Sequence, residues 1–240
     1  MYTRIIEGVK LVRAMMLAAG LGTRLRPLTN DTPKCLVPIK GQPLLGIWLD
    51  HLTKAGIGPF LINTHYLATQ VETFIEASPY VKEVKLAHEP NLRGTAGTLI
   101  SHLDFFQDED GLLIHADNYC LADFKAFQKA HISRPSECLM TMMIFRTEDP
   151  SSCGIVDIDE RGVVIGFYEK QNNPPGNLAN GAVYILSPGL LNKLRGDLNT
   201  AQDFSLDIIK NFIGHIFTYQ TKDILIDIGT QSNYEKALSF

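Results

Sequence analysis

The sequence predicts an α/β domain, a Rossmann-like three-layer sandwich with a mostly parallel central sheet and a small mixed β lid. Three observations carry this expectation. Short apolar runs alternate with amphipathic stretches through the first half of the chain. Two of those runs, residues 14–18 and 111–114, lead into Gly20 and Asp117, as strands that feed a ligand crevice do. The second half then changes to closely spaced short strands joined by turns.

The elements follow in order. Residues 1–12 have weak periodicity and read as an N-terminal extension ahead of a single domain over 13–240. Residues 14–18 form a buried strand that runs into Gly20-Leu21-Gly22. Residues 44–55 place Leu45, Trp48, Leu49 and Leu52 at helical spacing and stop at Gly56. Residues 60–62 are a strand. Residues 68–77 are a helix with Val71, Phe74 and Ile75 on one face, and 84–86 are a strand. A helix over 95–105 opens just after Gly94, and a strand over 111–114 leads to Asp117. Strands alternating with helices in this way pair in parallel through right-handed crossovers. Trp48, Phe74, Phe105 and Phe106 sit at core spacing.

Beyond Asp117, residues 141–145 and 155–158 are short strands. The turn Asp159-Glu160-Arg161-Gly162 returns the chain as a strand over 163–168, so this pair is a hairpin. Residues 172–176 are a loop and 182–186 a strand. Ser187-Pro188 opens a short helix. Residues 204–212 are helical, 224–226 form a last strand ending at Asp227, and 232–238 close as a helix.

Composition narrows the function classes. The 240 residues are 45% hydrophobic and 20% charged, ordinary for a folded domain and enough for a core without disulfide or metal staples. Lys and Arg total 22 against 26 Asp and Glu, a net charge of −4 that argues against nucleic acid or an anionic membrane as partner. No apolar run approaches the ~20 residues of a membrane span. Arg4, Glu7, Lys10 and Arg13 replace the apolar stretch of a secretion signal. Cys35, Cys120, Cys138 and Cys153 are scattered, which reads as reduced thiols in a cytoplasmic protein.

The densest signal is Leu17-Ala18-Ala19-Gly20-Leu21-Gly22-Thr23-Arg24, continuing to Arg26-Pro27-Leu28-Thr29 and then Pro33-Lys34 and Pro38. Glycines directly after a strand let backbone N–H groups approach phosphate oxygens. Residues 14–45 carry Arg24, Arg26, Lys34 and Lys40 against Asp31 alone, a local +3 that leaves −7 for the rest of a chain whose net is −4. A glycine turn with fixed cations suits a triphosphate. The pattern is neither G-x-x-x-x-G-K-[ST] nor G-x-G-x-x-G, since Leu25 stands at the third glycine position. Asp117 and Asp227 each follow a strand, and two carboxylates from different strand ends can grip one Mg²⁺. His115-x-Asp117 reads as a hydrogen-bonded strand-end histidine rather than a metal pair. His51, His102, His131 and His215 have no acidic partner at ligand spacing and read as structural. Asn63 and His65 follow a strand end and either line the pocket or stabilise a loop.

The first motif resembles that of the sugar-phosphate nucleotidyltransferases, the nucleotide-sugar pyrophosphorylases, and the resemblance extends over nearly the whole chain. This sequence departs from the family pattern at Ala19, where glycine is frequent. It departs again at His115-Ala116 before the aspartate, at Gln171 where proline follows Glu-Lys, and at Gly181-Ala182, an exchanged pair. The resemblance implies that Ala18, Ala19, Gly20, Gly22 and Thr23 bind the nucleotide. It implies that Arg24 binds the leaving pyrophosphate, that Lys34 holds the α-phosphate region, and that Asp117 and Asp227 hold Mg²⁺. Gly154, Glu169, Lys170 and Asn180 are then the sugar-phosphate contacts.

Nucleobase choice is expected in the stretch Glu89 to Gly97, with Glu89, Gly94 and Thr95 as contacts. Its E-x-x-L-x-G-T-A-G form is similar to guanylyltransferases acting on mannose 1-phosphate or a heptose 1-phosphate. The helix beginning near Thr95 is expected to offer its N-terminal N–H groups to the ligand. The implied reaction is transfer of a nucleotidyl group, GMP favoured, from a nucleoside triphosphate to a sugar 1-phosphate. It belongs to nucleotide-sugar biosynthesis for cell-envelope polysaccharide, in the cytoplasm. The same resemblance leaves no length for the C-terminal β-helix that some relatives carry, and a homo-oligomer is compatible with it. Uridylyl or thymidylyl transfer, a related glycosyltransferase that would use Asp157-Ile158-Asp159, and a non-catalytic nucleotide-sugar regulator are the competing readings.

Overall fold

The computed structural model describes residues 11–240. Of the stretch read as an N-terminal extension, residues 1–10 lie outside the described residues. Val12 already belongs to the first strand, β1 (Val12–Leu17), and is buried.

The first half of the chain alternates as its pattern predicts. After β1 comes a small antiparallel ribbon, β2 (Pro38–Ile39) and β3 (Gln42–Pro43). α1 (Leu44–Lys54) buries Leu45, Trp48, Leu49 and Leu52. β4 (Phe60–Thr64), α2 (Ala68–Glu76), β5 (Val84–His88), α3 (Gly94–Ser101) and β6 (Asp110–His115) follow. β1 pairs in parallel with both β4 and β6, and β4 with β5. Helices on both faces cover the middle of the inner strand β1, so Ala14, Met15 and Met16 are fully buried. Such strands read as continuous apolar runs, and the two faces feed two cores. Ala14 and Met16 point into one with Trp48 and Leu49, and Met15 into the other with Leu99 and Phe106.

The second half comprises β7 (Asn118–Cys120), α4 (Phe124–Ile132), β8 (Met140–Arg146), β9 (Gly154–Ile158), β10 (Val164–Glu169), β11 (Leu178–Leu186), α5 (Pro188–Arg195), β12 (Ile216–Gln220), β13 (Leu225–Asp227) and α6 (Gln231–Leu238). β9 and β10 form the expected hairpin. β11 runs antiparallel to β8 along one edge and to β6 and β9 along the other, and β12 lies parallel to β8. The mixed strands are thus continuous with the parallel block through β11. β13 pairs only with β7, as a separate two-stranded ribbon. Among the described residues no helix is long and apolar enough to cross a membrane.

Four local departures have physical causes. The helix expected over 95–105 ends at Ser101, and Leu103–Phe106 winds into a tighter 3₁₀ turn. Phe106 there packs directly on β6, where a Cβ on Gly111 would meet its ring at 2.6 Å. Residues 204–212 form a π turn followed by a 3₁₀ turn rather than an α-helix. β11 begins four residues early and is interrupted by a bulge, with Ala182 at φ 53 and its N–H donating to Asn180 Oδ1 at 3.0 Å. β7, α4 and β12 carry no sequence-based expectation at all. For α4 a signal exists: Asp123 caps it, accepting from the N–H groups of Lys125 and Ala126 at 2.9 and 3.0 Å, and Phe124, Phe127 and His131 form its buried face.

Trp48 joins the first half to the second. Its Nε1 donates to the Asn118 carbonyl at 2.7 Å, and its ring meets Phe124 edge-on. Trp48→Ala is expected to lower unfolding free energy by about 3–5 kcal/mol, measured by urea denaturation. A loss below about 1 kcal/mol contradicts this packing.

Candidate active site

The site starts at the C-terminal end of β1. Ala18 N–H donates to Asn63 Oδ1 at 2.7 Å, which fixes where the chain leaves the sheet. Gly22 follows at φ 63, and the Thr29 hydroxyl donates to its carbonyl at 2.7 Å. A Cβ on Gly22 would press on Thr29 at 3.0 Å and on Lys34 Cβ at 3.3 Å, so both conformation and space require glycine there. Gly20 differs. A Cβ there would meet no protein atom within 4 Å, and its open face borders a cleft of about 240 Å³. Thr23–Leu25 make a 3₁₀ turn anchored by buried Leu25, which leaves Arg24 exposed.

Lys34 is the centre of the charge arrangement. Its side chain is only 7% exposed, and its Nζ donates to Asp117 Oδ2 at 2.7 Å and to Asp227 Oδ1 at 3.2 Å. Asp117 sits in the turn after β6, and Asp227 closes β13, where Gly229 N–H also donates to its Oδ1 at 2.8 Å. Arg24 reaches Asp227 Oδ2 at 4.0 Å. The two carboxylate side chains remain 38% and 52% exposed. Burial pushes the Asp117 carboxyl up, but the charges of Lys34 and His115 and the Lys34 hydrogen bond outweigh it and hold it below the usual range. Asp117 is therefore an anion at neutral pH.

Two hard-oxygen groups held against one ammonium suit a divalent cation that takes its other ligands from phosphates and water. Among the described residues no group of three or more His, Cys, Asp or Glu converges on a metal position, so an all-protein cage is not what the fold builds. Cys35 also borders the cleft. Burial pushes its thiol up to about 12, which leaves it inert as a nucleophile.

At the other end of the cleft lie Glu89, Gly94 and Thr95. Glu89 is 2% exposed. Its Oε1 accepts from the Thr98 hydroxyl at 2.6 Å and from Asn63 Nδ2 at 3.3 Å, and its Oε2 from Arg93 N–H at 3.4 Å. Asn63 thus ties Glu89 to Ala18 and lines the cleft as well, so both readings of it hold. His65 is a loop residue, its Nδ1 bonded to the Glu89 carbonyl at 2.7 Å. Thr98, which sets the Glu89 carboxylate, carries no motif signal. Gly94 has φ 76, and a Cβ there would fall on the Gln202 carbonyl oxygen. That same carbonyl accepts from Ala96 and Gly97 N–H groups at 2.9 and 3.4 Å, while Thr95 Oγ1 accepts from Phe204 N–H at 2.7 Å. The expected offer of α3 N–H groups to a ligand is corrected accordingly: two of them are capped by Gln202.

The four residues expected at a sugar phosphate are not brought to this cleft. Gly154 lies opposite Glu169 in the hairpin, where a Cβ would strike Glu169 Oε2 at 2.6 Å and Phe167 at 2.8 Å. Lys170 is 64% exposed, with its Nζ 3.6 Å from Glu169. Asn180 donates to the Tyr184 hydroxyl at 2.7 Å and accepts from Ala182, so both ends of its amide are engaged inside the bulge. Burial, with the Glu169 charge adding to it, pushes the Tyr184 hydroxyl up, which places Glu169, Asn180 and Tyr184 in one neighbourhood.

The remaining histidines largely follow expectation. His51 bonds the Ala122 carbonyl and His215 the Glu137 carbonyl. His131 bonds Thr141 but also has an acidic neighbour, Asp110, at 3.6 Å, contrary to the sequence reading. His115 departs most. It was expected to be hydrogen-bonded in place, yet its Nε2 is shielded from solvent with no hydrogen-bond partner among the described residues. Burial holds its imidazole below the ordinary value, against the pull of Asp117, Asp203 and Asp227.

Residues 13–240 match the family model described as Nucleotidyl transferase. The catalytic subunit beta of mannose-1-phosphate guanylyltransferase from Drosophila melanogaster is 33% identical over 186 residues, 76% of this chain and 50% of that protein. Glucose-1-phosphate thymidylyltransferase from Streptomyces griseus is 29% identical over 181 residues, 75% of this chain and 50% of that protein. The crystal structure of HddC from Yersinia pseudotuberculosis complexed with GMP-PN superposes with a TM-score of 0.79 at 26% identity, covering 96% of this chain and 99% of that one. The chain spans about half the length of the curated relatives it matches.

The two cleft glycines separate packing from ligand access. Gly94→Ala is expected to cost roughly 2 kcal/mol or more in thermal or urea unfolding, because φ and space both forbid a side chain. Gly20→Ala is expected to stay within about 0.5 kcal/mol of the parent. Equal losses at the two positions would contradict this assignment.

Proposed function

The chain belongs to the nucleotidyl transferase family, and on that premise we propose that it transfers a nucleotidyl group from a nucleoside triphosphate to a sugar 1-phosphate, giving a nucleotide sugar and pyrophosphate. The favoured pair is GTP with mannose or heptose 1-phosphate. The observation that carries this reading is the meeting of Lys34, Asp117 and Asp227 beside a glycine turn whose Gly20 leaves space for a ligand. That is an anion site with a built-in pair of cation ligands.

In this mechanism a phosphate oxygen of the sugar 1-phosphate attacks the α-phosphorus in line. A new P–O bond forms as the bond to the β-phosphate oxygen breaks, and pyrophosphate leaves with its electron pair. No protein nucleophile is needed, in keeping with the inert Cys35. Positioning and charge neutralisation supply the rate. Lys34 holds the α-phosphate region and Arg24 meets the leaving pyrophosphate. Asp117 and Asp227 would hold Mg²⁺, which, when bound, neutralises phosphate charge as a Lewis acid. Lys170 reaches the sugar phosphate and Glu169 accepts from sugar hydroxyls. Lys170 lies on the surface with only Glu169 near its ammonium among the described residues, so its reorientation breaks little.

The guanine preference is supported by the Drosophila melanogaster relative, a guanylyltransferase. It is supported also by Glu89, a carboxylate at the cleft wall that suits a base presenting N–H donors. The Streptomyces griseus relative, a thymidylyltransferase, keeps thymidylyl transfer to glucose 1-phosphate as the second reading.

A panel of nucleoside triphosphates against sugar 1-phosphates with Mg²⁺, read by pyrophosphate release, tests the proposal. The expected maximum is GTP with mannose or heptose 1-phosphate. A maximum at dTTP with glucose 1-phosphate supports the second reading, and no release from any pair overturns both. Asp227→Ala and Lys34→Ala are each expected to lower turnover about 100-fold or more with the fold intact by circular dichroism. Parental turnover in Asp227→Ala would refute the metal assignment.

A further inference from the structure

Three polar side chains that line the cleft are almost wholly buried: Asn63, Glu89 and Thr98, at 3%, 2% and 1% exposure. They hydrogen-bond one another. The Thr98 hydroxyl donates to Glu89 Oε1 at 2.6 Å, and Asn63 Nδ2 reaches that same oxygen at 3.3 Å and Thr98 Oγ1 at 3.4 Å. The backbone of Glu89 is fixed as well. Its N–H donates to the Thr64 carbonyl at 2.8 Å, and its own carbonyl meets His65 Nδ1 at 2.7 Å.

A buried carboxylate ordinarily has a cation beside it, because its desolvation is costly. Among the described residues no ion pair includes Glu89. Arg93, on the same loop, sends its guanidinium to Ser101 Oγ at 2.7 Å instead. Hydrogen bonds alone hold the Glu89 carboxylate, and they are uneven. Oε1 has two donors, with Thr98 much the shorter contact. Oε2 has only the Arg93 N–H at 3.4 Å, longer than a normal bond. The acceptor capacity left over therefore lies on Oε2. An N–H at the edge of a nucleobase is the group that completes it. A site with a buried group awaiting such a donor discriminates strongly against a ligand that lacks it. Thr98 decides which oxygen waits, because its single hydroxyl proton is given to Oε1. Without that hydroxyl, Oε1 keeps only the 3.3 Å amide contact and no short bond orients the carboxylate.

We propose that Thr98 is a positioning residue for nucleobase choice, its hydroxyl holding Glu89 so that Oε2 accepts an N–H of the base. This rests on the nucleotidyl-transfer reading above and carries it to a residue of α3 that acts through Glu89.

Thr98→Val removes the hydroxyl at nearly constant shape, and Thr98→Ser keeps it. Both are compared with the parent by kcat and KM for GTP, ITP, UTP and dTTP at saturating sugar 1-phosphate. Whichever triphosphate the parent prefers, Thr98→Val is expected to lose about tenfold in kcat/KM for it, carried by KM, and less than about twofold for the poorest of the four. KM for the sugar 1-phosphate is expected to stay parental, and Thr98→Ser to keep the parent's preference within about threefold. A residue that only stabilised the fold would lower the active fraction, and so kcat, equally for every triphosphate. In a Glu89→Gln background, Thr98→Val is expected to add less than about twofold. Thr98→Ala replaces valine if the latter does not fold by circular dichroism, with the same pattern expected. Parental kinetics in Thr98→Val, a loss shared equally by all four triphosphates, or a tenfold loss that persists beside Glu89→Gln overturns this inference alone. A parent that releases no pyrophosphate from any pair overturns the functional reading, and this inference with it.

Discussion

The arrangement depends on one buried ammonium. Lys34 lies 83 residues from Asp117 and 193 from Asp227 in the chain, yet its Nζ touches both. An unpaired ammonium shut away from water costs several kcal/mol, so a sequence that buries Lys34 must bring carboxylates to it. That requirement draws the turn after β6, the end of β13 and the 3₁₀ turn at Lys34–Leu36 to one point. Both carboxylates remain partly exposed, so solvent screens the pair and its net stabilisation is modest. Its main effect is positional, because both acids are held against one ammonium and so close to each other.

The rest of the cleft continues from that point as a gradient of chemistry. The glycine turn and its cations accept negative charge. Asn63 then passes order from the Ala18 N–H to the Glu89 carboxylate, so the glycine-turn end and the Glu89 end of the cleft share one link. Gln202 closes the N-terminus of α3, and the gap left by the missing side chain of Gly94 lets that segment approach. The loop bearing Glu89 is thus clamped from two sides. The Glu89 end of the cleft is set by the packing of β4, α3 and residues 202–204 rather than by a flexible loop.

Legibility in the sequence followed the physics of each element. Buried parallel strands announce themselves as apolar runs, so β1, β4 and β6 were readable, and α1 carries its face at clean helical spacing. The glycine turn, Asp117 and Asp227 stand out because their residue types sit at strand ends, and Lys34 because it follows the glycine motif as Pro33-Lys34. The convergence of Lys34 on both acids was not, since no local pattern encodes a contact across 193 residues. The π and 3₁₀ turns at 204–212 stayed hidden because their buried Phe204, Ile208, Ile209 and Phe212 fall at α-helical spacing. α4 was missed although its cap and apolar face were present. Thr98 and Gln202 gave no signal, one being an ordinary helix threonine and the other acting through its backbone. The sugar-side residues were chosen by resemblance, and the fold packs Gly154 in the hairpin and Asn180 in the bulge of β11.

The central claim is that Asp117 and Asp227 form one divalent-cation site completed by nucleotide phosphates. The most direct measurement is an anomalous difference map of crystals grown with Mn²⁺ and a non-hydrolysable GTP analogue. The account predicts a single peak bonded to oxygens of both carboxylates and to the nucleotide phosphates, with the glycine turn against the same phosphates. A peak that avoids either carboxylate, or a nucleotide bound outside the cleft, would contradict it.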